Sequence, residues 1–169
     1  MDATLSRSSS STSTIQSPRY QEQDSPLTLR QGLAEYYASN PNLINTDKAS
    51  TAEIGVYIRN HDATHVVFGT TTTLADEFLQ DIWTFLGVDI NKKNYIFDFL
   101  PSEESKQLFG ALKLGESIKT IAITIPLLPK LIWRSRKMTK KWPWQNWEIY
   151  LDQPLSEIRQ EFNILVLEK

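Results

Sequence analysis

Through most of the chain, apolar residues recur at three- and four-residue steps rather than alternating, which is the spacing of helices. The first 25 residues are the exception. Ser and Thr dominate residues 1–25, no apolar cluster there is large enough to bury, and a disordered tail is expected. From Pro26 the pattern turns helical: Leu29, Leu33, Ala34, Tyr36 and Tyr37 predict a helix over 27–39, stopped by Asn40–Pro41. A second helix is expected after Ser50–Thr51, running through Ala52, Ile54, Tyr57, Ile58, His61 and His65 to Phe68, with Gly69 as its stop. Thr70–Thr73 form a connector that can supply a cap, and the next helix carries Leu74, Phe78, Ile82, Phe85 and Leu86 as its apolar stripe, ending at Gly87. In 91–100, Tyr95, Phe97 and Phe99 alternate like a short strand. Pro101–Ser102 followed by Glu103–Glu104 marks another helix start, continuing through Leu108, Leu112 and Leu114 towards Ile118. Near the end, Asp152 is placed to cap a helix with Pro154 in its first turn and Leu155, Ile158 and Phe162 inward. No internal repeat occurs. These elements predict a mostly α fold, one helical domain over 26–169.

The stretch 118–133 is apolar enough to raise the question of a membrane span. Pro126 and Pro129 interrupt it and Lys119 and Lys130 bracket it, whereas a span needs about 20 apolar residues. It is therefore expected either to fill the core or to form a greasy groove. In the second case Ile121, Ile123, Ile125, Leu127 and Leu128 line a path for a prenyl chain.

Charge adds a surface to this picture. The formal net charge is −2, but residues 130–169 hold 8 bases against 5 acids, and six of those bases fall in Lys130–Lys141 without an acid. Trp133, Trp142, Trp144 and Trp147 lie within or beside the run. Trp133, Arg134, Arg136, Lys137, Lys140, Lys141, Trp142 and Trp144 thus suit an anionic membrane surface, to which the protein would attach peripherally. Nucleic acid is disfavoured by the acidic balance of the whole and by the absence of a recognition motif.

Composition removes further classes. The 169 residues contain no cysteine, so disulfide frameworks, thiolate zinc sites and cysteine nucleophiles are excluded. No GxSxG and no phosphate-cradling glycine loop occurs among the six glycines. Residues 1–14 lack an apolar secretory core, and the expected location is cytoplasmic.

The remaining chemistry is concentrated in the second helix. The chain's two histidines, His61 and His65, stand four apart, so one helix face carries both imidazoles. Asp62 is about 100° round the same helix. Glu77 lies four residues after Thr73, as His65 lies four before Gly69. In an antiparallel hairpin these positions share a height, each about 6 Å from its end of the turn. His61, Asp62, His65 and Glu77 form a candidate N2O2 set for one divalent ion, with Asp62 as fourth ligand or as a neighbour of the ligands.

The string HDATHVVFGTTTTLADE, His-Asp-x-x-His, eleven residues, then Glu, resembles the metal motif of the coenzyme Q (ubiquinone) biosynthesis protein 4 family. The lead-in AEIGVYIRN and the closing WEIYLDQPLSEIRQEFNI are similar to that family too, and the resemblance extends from about Pro26 over most of the chain. Asp76 departs from it, standing where the family usually has glycine. The resemblance implies a helical, dimer-forming, peripherally membrane-associated protein of isoprenoid-quinone biosynthesis. It implies that His61, Asp62, His65 and Glu77 bind the metal, zinc first, with Fe, Mn, Co or Mg also compatible, and carry the catalysis. The implied activity is decarboxylation at ring C1 of a polyprenylated hydroxybenzoate, coupled to or followed by hydroxylation there. The alternative is a non-catalytic prenyl-lipid-binding scaffold that presents such a precursor to other quinone-biosynthesis enzymes.

Overall fold

A computed structural model describes residues 17–43, 52–94, 120 and 122–167. Its first helix, α1 (Leu29–Ser39), starts where the sequence supplies a reciprocal cap: Gln31 N–H donates to Thr28 Oγ1 and Thr28 N–H donates to Gln31 Oε1. Leu29, Gly32, Leu33 and Tyr36, spaced at three and four, are its buried face. α2 (Ala52–Phe68) ends at Gly69, whose φ of +72° is open to glycine without strain. From Asp62 to Phe68 every residue of α2 is buried, so this half of the helix is enclosed on all sides.

α3 (Leu74–Gly87) begins on Thr73, whose hydroxyl accepts from Asp76 N–H at 3.3 Å. Its buried face is Asp76, Leu79, Gln80, Trp83, Thr84 and Gly87. The stripe expected from apolar spacing is therefore rotated. Phe85 is exposed and Ile82 and Leu86 are half-buried, because Trp83 stacks on Phe68 at 4.6 Å and sets the helix's orientation. After α3 come β1 (Val88–Asp89) and a short turn α4 (Lys92–Asn94). β1 pairs in parallel with β2 (Trp142–Pro143), Val88 opposite Trp142. Between them a 3-10 turn at Ile125–Leu127 leads into α5 (Leu128–Lys137), which packs on α3. A 3-10 turn at Trp147–Tyr150 precedes α6 (Leu155–Phe162), which packs on α2.

One buried cation ties these layers together. Arg159 on α6 is fully buried, and its Nε donates to the Val67 carbonyl at 3.0 Å. Its Nη2 donates to the carbonyls of Val66 at 2.9 Å and Tyr20 at 2.6 Å, and its Nη1 to that of Glu22. Burial lowers its pKa to about 10, against the raising influence of Asp24. A guanidinium at the C-terminal carbonyls of α2 is stabilised by the helix dipole and satisfies acceptors that the helix leaves open.

The mostly α fold is as expected, with α1, α2, α3 and α6 at the anticipated places. Several expectations are corrected. Residues 17–25 belong to the folded part: Tyr20 and Ser25 are fully buried, and Tyr20 packs edge-on against Tyr36 at 5.9 Å. Asp152 does not cap α6. It pairs with Arg30 at 3.0 Å, and the N-cap position of α6 is Pro154. Trp142 and Trp144 are core residues, not surface anchors: Trp142 packs on Tyr150 and Phe162, and Trp144 on Tyr57. The strand and helix expected across 95–118, and Ile121, lie outside the described residues. Among the described residues no helix is long and apolar enough to cross a membrane.

Candidate metal centre

The connector Gly69–Thr73 turns the chain so that α3 packs on α2. One helical turn before it stands His65, two turns before it His61, and one turn after it Glu77. His61 Nε2 and His65 Nε2 are 3.1 Å apart, and each is 3.4 Å from Glu77 Oε2. An ion about 2.0–2.2 Å from three ligand atoms separates them by roughly 3.3–3.5 Å at tetrahedral angles and by about 3.0 Å at octahedral ones. The observed spacings span that range. His61, His65 and Glu77 are the group of potential metal ligands that converge among the described residues.

The cluster is covered on one side and open on the other. His65 is fully buried, while the side chains of His61 and Glu77 retain 18% and 31% exposure. That gradient leaves a direction from which a further ligand or a substrate can approach. Tyr36, itself buried, stacks on the His65 ring at 5.5 Å and 23°. His65 Nδ1 is 2.9 Å from Thr70 Oγ1. His61 Nδ1, by contrast, is buried with no hydrogen-bond partner among the described residues.

The electrostatics follow from this packing. Burial works to raise Glu77, but the two imidazoles, which when protonated donate to it and carry charge, outweigh it and hold the carboxylate well below its usual range. For His61, burial lowers the pKa while Glu77, then Asp81 and Asp62, raise it, and the net shift is upward. A negative Glu77 and a protonated His61 thus stabilise each other in the metal-free cluster, a charge arrangement that a divalent cation would replace.

Asp62 stands outside the convergent group. Its Oδ2 accepts a hydrogen bond from Tyr37 Oη at 3.1 Å, and it is nearly fully buried. Burial pushes its carboxyl up, against the lowering influence of His61 and His65. Of the four residues expected at the metal, three are brought together and the fourth neighbours them through charge.

The other expected surfaces are only partly assembled. Ile123 and Ile125 are exposed, and Leu127 and Leu128 are half-buried against the core. Trp133, Arg136, Lys137 and Lys141 are exposed, as is Lys130. Arg134 is turned inward, donating to the carbonyls of Val166 and Leu165, and Lys140 is paired with Glu161 at 2.5 Å. Thr64, Thr70, Gln80, Tyr36 and Tyr37 were not placed at the site from sequence. Gln80 had one available signal: it lies three residues beyond Glu77 and so shares its face of α3. Comparison with protein-family models, curated proteins and solved structures gives no match to this chain.

Proposed function

We propose that this chain holds one divalent metal ion on His61, His65 and Glu77, zinc first among the candidates, and acts on the carboxylated head group of a polyprenylated hydroxybenzoate in isoprenoid-quinone biosynthesis. The observation that carries the metal half is the approach of three ligand atoms to 3.1–3.4 Å on two helices, with one side open. The substrate class rests on the likeness of the His-Asp-x-x-His…Glu string to the coenzyme Q biosynthesis protein 4 family. Three protein ligands leave coordination positions free, which suits a site that receives a substrate better than a closed structural one.

A metal held there supplies Lewis-acid polarisation of a carboxylate or phenolate. The chain's own residues then divide the work. Glu77 and the imidazoles would hold the ion against which the head group rests, and Tyr36 and the buried end of α2 exclude water behind it. Asp62, lifted by burial and bonded by Tyr37, is a carboxyl group able to hold a proton beside the cluster. Loss of the carboxylate as CO2, with a proton taken up at the ring carbon, balances without an oxidant. Hydroxylation at that carbon would need O2, a redox-active ion and a two-electron reductant that takes the second oxygen atom to water. In this reading Trp133, Lys130, Arg136, Lys137 and Lys141 rest on an anionic membrane, and Ile123 and Ile125 meet the prenyl chain.

Metal analysis of the purified chain, with organic extraction of any bound lipid and turnover of a prenylated hydroxybenzoate, tests the reading. One ion per chain and release of CO2 support it. One ion with a bound prenyl lipid but no turnover supports the presenting scaffold instead, and neither ion nor lipid refutes both.

A further inference from the structure

The hydrogen bonds behind His65 form a chain whose donor directions are all determined. It begins at Thr64, whose Oγ1 lies 2.6 Å from the His61 carbonyl. A carbonyl has no proton, so Thr64 must spend its one hydroxyl hydrogen there. Thr64 can then only accept from Gln80, 2.7 Å away, and the Gln80 atom facing it must be the amide nitrogen. That nitrogen also reaches Thr84 Oγ1 at 3.3 Å. The amide oxygen of Gln80 is thereby turned on Thr70 Oγ1, at 2.6 Å, and must accept from it. Thr70 has no second hydrogen, so its 2.9 Å contact with His65 Nδ1 requires the ring to donate.

Thr64, His65 and Gln80 have no exposure and Thr70 has 1%, so water does not compete for these bonds. Thr70 is itself held by the backbone: its N–H donates to the His65 carbonyl at 3.0 Å, and its own carbonyl accepts from Tyr20 Oη at 3.0 Å.

We propose that Thr70 and Gln80 are positioning residues that fix His65 in the Nδ1–H tautomer and so aim the Nε2 lone pair at His61 and Glu77. Nothing comparable holds His61, whose Nδ1 has no partner among the described residues. His65 is accordingly the pre-set ligand, and His61 is free to adjust its ring when the ion arrives. The second half of this inference rests on the metal reading above; the tautomer does not.

The test is nitrogen NMR of the full chain labelled in its two histidine rings, metal-free and at alkaline pH, followed by zinc titration. His65 should show a protonated Nδ1 and an unprotonated Nε2 before any metal is added. Thr70→Val should mix the tautomers and weaken zinc binding about 10- to 100-fold, the usual effect of removing a partner that orients a ligand. Thr70→Ser, which keeps the hydroxyl, should restore both. Gln80→Leu provides a second disruption if the valine variant folds poorly. A wild-type His65 protonated at Nε2, or a folded Thr70→Val chain with unchanged tautomer, overturns the proposal. The expected tautomer in a chain that binds no zinc instead overturns the metal reading and leaves the relay in place.

Discussion

His65 and Asp62 sit three positions apart on one helix, yet the structure gives them different neighbours, and substitution should separate them. His65→Ala removes one of three convergent atoms and should abolish stoichiometric metal uptake. Asp62→Asn keeps the hydrogen bond to Tyr37 within reach and should retain the ion, measured by metal analysis of both variants. The same cluster gives a pH signature. His61 is raised above its ordinary 6.5 and Asp62 above its ordinary 3.8, so in metal-free protein both contribute stability at low pH that is lost as pH rises through their folded values. Glu77, depressed below 4.5, contributes above that value and loses its contribution as acid reaches its folded pKa. The share of metal-free stability carried by the His61–Glu77 pair should therefore be greatest between about 4.5 and 6.5 and fall on the alkaline side, while the share carried by Asp62 falls as pH rises from 3.8. With zinc bound the trend should reverse, because protons compete with the ion for the imidazoles. Denaturant titrations across pH, with zinc and with a chelator, measure the two slopes. The histidine pair could be read from the chain because helix geometry alone stacks positions four apart. Thr70 and Gln80 could not, being neutral residues whose role exists only once two helices meet.

The elements that carry the site depend on close contacts made from a distance in sequence. Arg159 holds the carbonyls of Val66 and Val67, directly after His65, and Arg159→Ala leaves those buried acceptors without a donor. The loss should be on the order of 3–5 kcal/mol in a urea titration, with weaker metal binding at concentrations where the variant remains folded. Gly32 is where α1 approaches α2. A Cβ there would stand 2.7 Å from Val66 Cγ1 and 3.0 Å from Leu155 Cδ1, and Gly32→Ala should cost about 1–3 kcal/mol. Caps and stops at Thr73 and Gly69 were visible in the sequence because they are local. Asp152 misled for the opposite reason: its partner, Arg30, lies 122 positions away along the chain, and a local rule cannot see it. The orientation of α3 was likewise decided by Trp83 against Phe68, a contact that spacing does not encode.

At the scale of the molecule, the basic run separates into two populations. Arg134 and Lys140 serve the fold, while Lys130, Arg136, Lys137 and Lys141 face outward beside the exposed Trp133. If this face meets an anionic bilayer, each free cation contributes about 1 kcal/mol. Replacing Arg136, Lys137 and Lys141 by Gln should then lower co-sedimentation with anionic vesicles far more than Lys140→Gln does, and the difference should shrink as salt rises. Equal binding to neutral vesicles would remove the proposed docking face. The central claim, a single metal site on two helices, is tested most directly by titrating the metal-free chain with Co2+ and following its visible absorption. Saturation at one ion per chain, lost in Glu77→Gln and His65→Ala, is the expected result; the absence of a saturable signal in the wild-type chain, or a signal indifferent to both substitutions, would contradict it.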